Sequence, residues 1–333
     1  STLLASSAAS DVYKRQLIAM PKVSVIIPIY GVEKYIERCV RSLFEQTLDD
    51  IEYLFIDDCS PDGSVRIIMR ILDEYPNRKE QVIIHRMEQN SGQAKVREWG
   101  MKNATGDYVI HCDSDDWTDL MMYESMYQKA LEEDADVVVC DYYKSDGVNH
   151  EMKLAIASGT DILSLLSDIL RKMISAAVWN KLVRRNLYLI TNFLYPTNDM
   201  GEDMVIMTQI LLSARNVSYI NRPYYFYFCN PTSICNATPV DAQLKRFIQA
   251  VNNAKLIKTI FAKSEYFLRL RHSLNKYFFE ERYLLVPLIK VDKKYITIWK
   301  NTFPEINRYV LLNPYLTFGN KAHFYLTLFK SYL

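Results

Sequence analysis

The chain has 333 residues, 49% of them hydrophobic and 24% charged, with only 9 Gly and 11 Pro. That composition supports a large buried core and excludes collagen-like, low-complexity and mainly disordered classes. The net charge of +1 hides an asymmetry: residues 241–333 hold 16 Lys+Arg against 6 Asp+Glu, leaving 24 against 33 for residues 1–240. An acidic body with a basic end directs the C-terminal part toward an anionic surface. Cys39, Cys59, Cys112, Cys140, Cys229 and Cys235 form no C-x-x-C pair. They read as buried free thiols of a reducing compartment, not as a disulfide framework or a zinc site. No apolar run approaches the roughly 18 residues of a membrane-spanning helix.

Ser1 to Gln16 is rich in Ser and Ala and has neither a clear period nor the basic-then-apolar order of a secretory signal. Residues 1–20 are therefore expected to be a leader or cloning remnant outside the fold. Lys22–Tyr30 is almost continuously apolar and β-branched, as a buried parallel strand requires. Val32, Tyr35, Ile36, Cys39, Val40, Leu43 and Phe44 then recur at helical spacing. Ile51–Ile56 predicts a second strand, and Ser64–Tyr75 a helix stopped by Pro76. A third strand is expected over Gln81–Arg86, a helix over Gln93–Asn103, a fourth strand over Tyr108–Cys112, a helix over Leu120–Glu133, and a fifth strand over Asp136–Asp141. Strict β-α alternation implies a mostly parallel sheet flanked by helices.

Beyond Asp141 the alternation stops. Helices are expected over Asp161–Ile174 and Met204–Ala214, with an aromatic strand over Tyr219–Phe228 between the latter and a basic, aromatic, helical C-terminal region. Two units follow: residues 21–238, divided at 141/142 where the alternation stops, and residues 239–333.

The most informative stretch is His111-Cys112-Asp113-Ser114-Asp115-Asp116-Trp117. Clustered carboxylates repel one another unless a cation sits between them. Mg²⁺ and Mn²⁺ prefer oxygen ligands and are commonly shared between one or two carboxylates and a substrate's phosphates. The plain alternative is a solvated acidic turn capping the next helix. No G-x-G-x-x-G follows the first strand and no P-loop occurs, which disfavours dinucleotide dehydrogenases and P-loop enzymes. Ligands of such sheets bind beyond the carboxyl ends of the strands. Tyr30, Asp57, Asp58 and Asp113–Asp116 all fall there.

The segment PKVSVIIPIYGVEKYIERCVRSLFEQTLDDIEYLFIDDCSPDGS, residues 21–64, resembles the start of the family 2 glycosyltransferases with the GT-A fold. Asn90-Ser91-Gly92, Arg97 and Gly100 are similar to that family's next block, with Val96 and Glu98 as departures. Gly106 through Trp117 resembles its metal-binding block, and Trp179-Asn180-Lys181-Leu182 and Gly201-Glu202-Asp203 resemble two later blocks of bacterial capsule and lipopolysaccharide members. The likeness spans about residues 21–235. Tyr224–Phe228 followed by Pro231–Ile234 resembles its last block, with Phe228 where Arg is usual.

The resemblance implies that residues 21–141 are a nucleotide-binding half and residues 142–238 an acceptor half, with a C-terminal helical appendage over residues 239–333. Pro28 and Tyr30 would border the nucleotide base, Asp57 and Asp58 would bind uracil or ribose, and Arg97 would lie by the nucleotide or diphosphate. Asp113 and Ser114 would contact the nucleotide sugar, and Asp115 with Asp113 would hold Mn²⁺ or Mg²⁺. Asp203 would be the general base, in a helix first turn that favours its ionised form. Trp179, Asn180, Lys181 and Glu202 would face the acceptor. Helix capping is the plain alternative for Asp203, a strand-end cap for Asp57, a helix-surface charge for Arg97, and a core position for Trp179.

The implied reaction is an inverting transfer from a nucleotide-diphosphate sugar, UDP-linked above others, to a saccharide or lipid-linked acceptor in cell-surface polysaccharide synthesis. The protein would be cytoplasmic, with its basic region on an anionic inner leaflet; nucleic acid is not an expected partner. A phosphatase of the haloacid dehalogenase type places its Asp-x-Asp after the first strand, not the fourth. A non-catalytic glycan-binding protein of the same fold is the third class.

Overall fold

The computed structural model describes residues 20–230 and 239–331. The expected leader, apart from Met20, and the Pro231–Ile234 stretch lie outside the described residues, as does Cys235.

Among the described residues nine strands form one sheet: β1 (Val23–Ile29), β2 (Ile51–Asp57), β3 (Val82–Arg86), β4 (Tyr108–His111), β5 (Trp117–Thr118), β6 (Val137–Ser145), β7 (His150–Lys153), β8 (Lys181–Arg184) and β9 (Val217–Phe228). Their order is β3-β2-β1-β4-β8-β6-β9-β5, with β7 paired to β6. The first four are mutually parallel, as the continuous apolar runs predict. The rest of the sheet departs from that expectation. β8 enters antiparallel between β4 and β6, and β5 and β7 add antiparallel edges. The fifth predicted strand also runs on to Ser145, where it pairs with β9 across a bulge at Asp141. These strands are two to four residues long apart from β6 and β9, too short to carry a readable alternation.

Strand order reverses at β1, which has β2 on one side and β4 on the other. The β1–β4 pairing ends at Ile26–His111, closed by the Cys112 N–H donating to the Ile26 carbonyl at 3.0 Å. Pro28 comes two residues later and so faces the same side, where no ladder partner remains. Its missing N–H therefore leaves no bond unmade, and the strands part there. The crevice lies where a doubly wound sheet opens for a ligand.

Helices α1 (Ile36–Phe44), α2 (Ser64–Glu74) and α4 (Met122–Glu132) cover one face, burying Val25, Ile27, Tyr53, Phe55 and Ile110. Helix α3 (Gln93–Asn103) and the helices α5 (Ile162–Leu170) and α6 (Glu202–Ser213) cover the other. Gly100 is required for the α3 packing: a Cβ there would sit 2.5 Å from Ile26 Cγ2. The C-terminal helices α7 (Val240–Ala262), α8 (Phe267–Tyr283), α9 (Val286–Val291), α10 (Tyr295–Asn301) and α11 (Phe318–Lys330) follow. Their Phe247, Phe261, Trp299 and Phe324 belong to the same buried cluster as Ile26 and Val109. The C-terminal helical region thus packs onto the main core on one face of the sheet.

Candidate active site at the strand-order switch

The loop after β4 carries the acidic run, and three elements fix it. The Tyr225 hydroxyl, from β9, accepts from the Asp113 N–H at 3.0 Å and donates to Asp116 Oδ2 at 2.6 Å. The Phe228 N–H donates to Asp116 Oδ1 at 2.6 Å. Asp116 is 1% exposed, so its carboxylate is a buried tie between the acidic loop and β9. Burial, then the charges of Asp113 and Asp115, push its pKa well above the ordinary range. Asp115 is half-buried; its Oδ2 accepts from Asn230 at 2.9 Å and its carbonyl accepts from Arg38 at 3.1 Å. Burial also raises its pKa, and Asp113 adds to the shift. Ser114, expected at the nucleotide sugar, is buried at 6% exposure.

Arg97 is the hub of the crevice floor. Its side chain is 1% exposed, and Nη2 donates to Asp113 Oδ1 at 2.8 Å. Nη1 lies 3.2 Å from His111 Nδ1. Burial, then the Arg97 charge, holds the His111 pKa well below its usual value, so the ring is neutral and Nδ1 accepts. Arg97 Nε lies 3.7 Å from Glu202 Oε1 and 3.9 Å from Asp203 Oδ1. One guanidinium therefore links the acidic loop to the first turn of α6. The two Nη groups of Arg97, expected near the nucleotide or diphosphate, are engaged by Asp113 and His111.

Asp203 itself faces the crevice with 26% of its side chain exposed, while its Oδ1 is buried and has no hydrogen bond. Its pKa is pushed up to about 6: burial raises it, Arg97 opposes, and Asp113 reinforces. Glu202, 7% exposed, is pushed well above the usual carboxylate range by burial and by Asp203.

Several other expected contacts turn inward. Asp57 is 1% exposed; its oxygens accept from the Ser60 N–H (2.7 Å) and from Arg86 (2.8 Å), the strand-end cap of the plain alternative. Asp58 is 4% exposed and accepts from the N–H groups of Ser91 (2.7 Å) and Gly92 (2.8 Å). It shapes the Ser91–Gly92 loop. Trp179 stacks on Tyr225 with ring centroids 4.3 Å apart and is 5% exposed, which leaves no face for a sugar. Asn180 donates to the Cys140 carbonyl at 2.7 Å, and Lys181 donates to the carbonyls of Ala177 and Ser175 and to Asn180 Oδ1. Both are buried, so the acceptor contacts expected of this triplet are replaced by support of β8. Burial lowers the Lys181 pKa to about 8, and the Asp203 charge opposes that shift. Pro28 is half-buried and Tyr30 is 51% exposed at the crevice mouth.

Two contributors had no sequence signal. Asp199 accepts from the Ala94 N–H at 3.0 Å, tying the segment before Asp203 to the start of α3. Gly92, at φ 86° and ψ 160°, occupies backbone space open to glycine alone. A Cβ there would sit 2.6 Å from Asp199 Oδ1. Gly92→Ala is expected to destabilise the fold by about 1–3 kcal/mol, read as a lower urea midpoint at unchanged slope. The second is Arg38, whose guanidinium lies 3.5 Å from the Trp117 ring centroid and 4.9 Å from that of Phe228. A cation from α1 thus stands beside Phe228, on the wall of a groove of 870 Å³ that borders the acidic loop.

Among the described residues no three His, Cys, Asp or Glu side chains are grouped to hold a divalent ion. Asp113 and Asp115 supply two hard oxygen donors whose mutual repulsion a cation would relieve. That pair fits an ion completed by phosphate oxygens and water, not an all-protein cage.

A mixed sheet that is parallel across this switch point, with helices on both faces, is a fold of the GT-A type. The chain belongs to glycosyl transferase family 2, whose pattern matches residues 24–207. It is 28% identical over 217 residues to the glycosyltransferase GlyA of Streptococcus pneumoniae; that match covers 62% of this chain but only 30% of GlyA. It is 28% identical over 291 residues to the cholesterol galactosyltransferase of Borreliella burgdorferi, covering 84% of this chain and 77% of that one. The fold matches S. aureus TarS 1–349 in complex with UDP-GlcNAc, with a TM-score of 0.57, 20% identity and 79% and 81% of the two chains covered. It also matches the mannosyltransferase PcManGT of Pyrobaculum calidifontis, in complex with GDP-Man and Mn²⁺, with a TM-score of 0.56, 16% identity and 98% and 95% covered.

Proposed function

We propose that the protein transfers a sugar from a nucleotide-diphosphate donor, UDP-linked, to a hydroxyl of a saccharide or lipid-linked acceptor, with inversion at the anomeric carbon. The observation that carries this reading is the Arg97 bridge. It sets Asp203, with an unpartnered buried oxygen, across the crevice from Asp113. The acceptor hydroxyl gives its proton to Asp203 while its oxygen bonds to the anomeric carbon. The bond from that carbon to the diphosphate oxygen breaks in the same displacement, and the nucleoside diphosphate leaves. No covalent enzyme intermediate is needed.

Asp113 and Asp115 would hold Mn²⁺ or Mg²⁺, which when bound supplies charge neutralisation at the diphosphate. Tyr30 and Pro28 border the base, and Asp58 with Gly92 sets the loop beside it. Arg97 orients Asp113 and keeps Asp203 from taking up a proton at neutral pH. The UDP-GlcNAc complex of TarS supports a UDP donor, and the GDP-Man complex of PcManGT supports a nucleotide sugar with Mn²⁺. The cholesterol galactosyltransferase supports a lipid acceptor at a membrane, where the basic C-terminal region would meet an anionic leaflet. A role in cell-surface polysaccharide synthesis is part of this proposal, as is a cytoplasmic location; no described helix is long and apolar enough to cross a membrane.

A screen of nucleotide sugars tests it, following nucleoside diphosphate release with Mn²⁺ or Mg²⁺. Chelator and Asp115→Ala are each expected to lower turnover by at least about a hundredfold. Full activity in chelator would remove the metal role. Failure to bind any donor with metal present would favour a glycan-binding protein of the same fold.

A further inference from the structure

The last helix presents an apolar face to solvent. Phe318 is 88% exposed, Tyr325 38%, Leu326 61% and Phe329 65%. At 3.6 residues per turn these four, with Ala322, lie within a stripe about 100° wide. The opposite side of the helix is seated in the core, with Phe324 0% and Thr327 8% exposed. The connection leading into it exposes Leu311 (62%) and Leu312 (78%). Scattered surface apolar residues are ordinary, but a continuous helical stripe marks a contact surface.

The charge around the stripe selects the partner. Lys321 and Lys330 flank it on its two sides by the same helical geometry. No Asp or Glu follows Glu305, and Glu305 itself is paired with Lys258. An apolar stripe bracketed by lysines matches an anionic lipid surface, where rings and leucines enter the acyl boundary and ammonium groups meet headgroup phosphates. Two copies packed through this face would set like charges together, which opposes self-association.

We infer that the Phe318–Lys330 helix, with Leu311 and Leu312, docks the protein on an anionic bilayer with the helix lying in the interface. This deepens the proposed location while resting on no transferase activity, so vesicle binding and turnover fail independently.

The test is co-sedimentation of the full chain with vesicles of phosphatidylcholine alone or mixed with phosphatidylglycerol. Binding is expected to be at least about tenfold tighter to the mixed vesicles and to weaken with salt. Phe318→Ser, Leu326→Ser and Phe329→Ser combined are expected to abolish it while leaving the melting temperature and the turnover of soluble substrates unchanged. Equal sedimentation of that variant and the parent would overturn the inference. So would a concentration-dependent dimer that the same variant dissolves in the absence of vesicle binding, which would give the face to a second copy.

Discussion

Asp203→Asn is expected to lower kcat by about 10²–10⁴-fold with the donor's KM nearly unchanged. The amide matches the carboxylate in shape, so the first turn of α6 and the crevice wall persist; what goes is the capacity to take a proton. The pH profile carries the stronger check. A base acts only when ionised, and the Asp203 pKa is pushed up to about 6 by burial against the pull of Arg97. Turnover by the parent is therefore expected to fall as pH drops through about 6 and to level off above it. The residual activity of the Asn variant should lack that limb. Removing a charge next to Glu202 relieves repulsion between two buried carboxylates, so the variant should melt no lower than the parent. Loss of activity with retained stability then separates chemistry from folding. Parental turnover in the Asn variant would assign Asp203 to helix capping instead.

The nucleotide-binding half was legible because its central strands β1, β2 and β4 are buried on both faces. Val23–Ile29 and Ile51–Asp57 are apolar almost without interruption, and a parallel strand between two helical layers admits little else. The acceptor half was obscure for the opposite reason. β8 begins with Lys181, a buried cation satisfied by three oxygens brought to it by the fold, and such a residue reads as exposed in any linear pattern. The acidic members of the site were visible as a cluster, but their division of labour was not. Asp113, Asp115 and Asp116 differ in what α3, β9 and the residues just after β9 bring to each carboxylate: Arg97 to the first, Asn230 to the second, Tyr225 and Phe228 to the third. Asp116, ambiguous in sequence, becomes a structural tie once Tyr225 is placed. Asp199 had no signal, because its partner is a backbone N–H that every residue carries.

Arg97→Met is expected to have the largest effect on stability, about 3–5 kcal/mol lost. The methionine fills a similar volume but leaves Asp113, Glu202 and Asp203 without the guanidinium that lies among them. His111 Nδ1 also loses the donor that fixes its ring. Breaking a buried pair from one side leaves the other side charged and desolvated, which is the costly case. The carboxylates would respond by binding protons, so the acid limb of turnover should move to higher pH as well as fall in height. Arg97→Lys distinguishes charge from shape. Lysine returns the positive charge but not the planar fork that reaches Asp113 and His111 while Nε faces α6. It should recover part of the stability and little of the activity. The measurement is urea unfolding of the three proteins beside their pH–rate profiles. A methionine variant with parental midpoint and profile would remove Arg97 from the centre of the site, and with it the link between Asp113 and Asp203 on which the transferase reading rests.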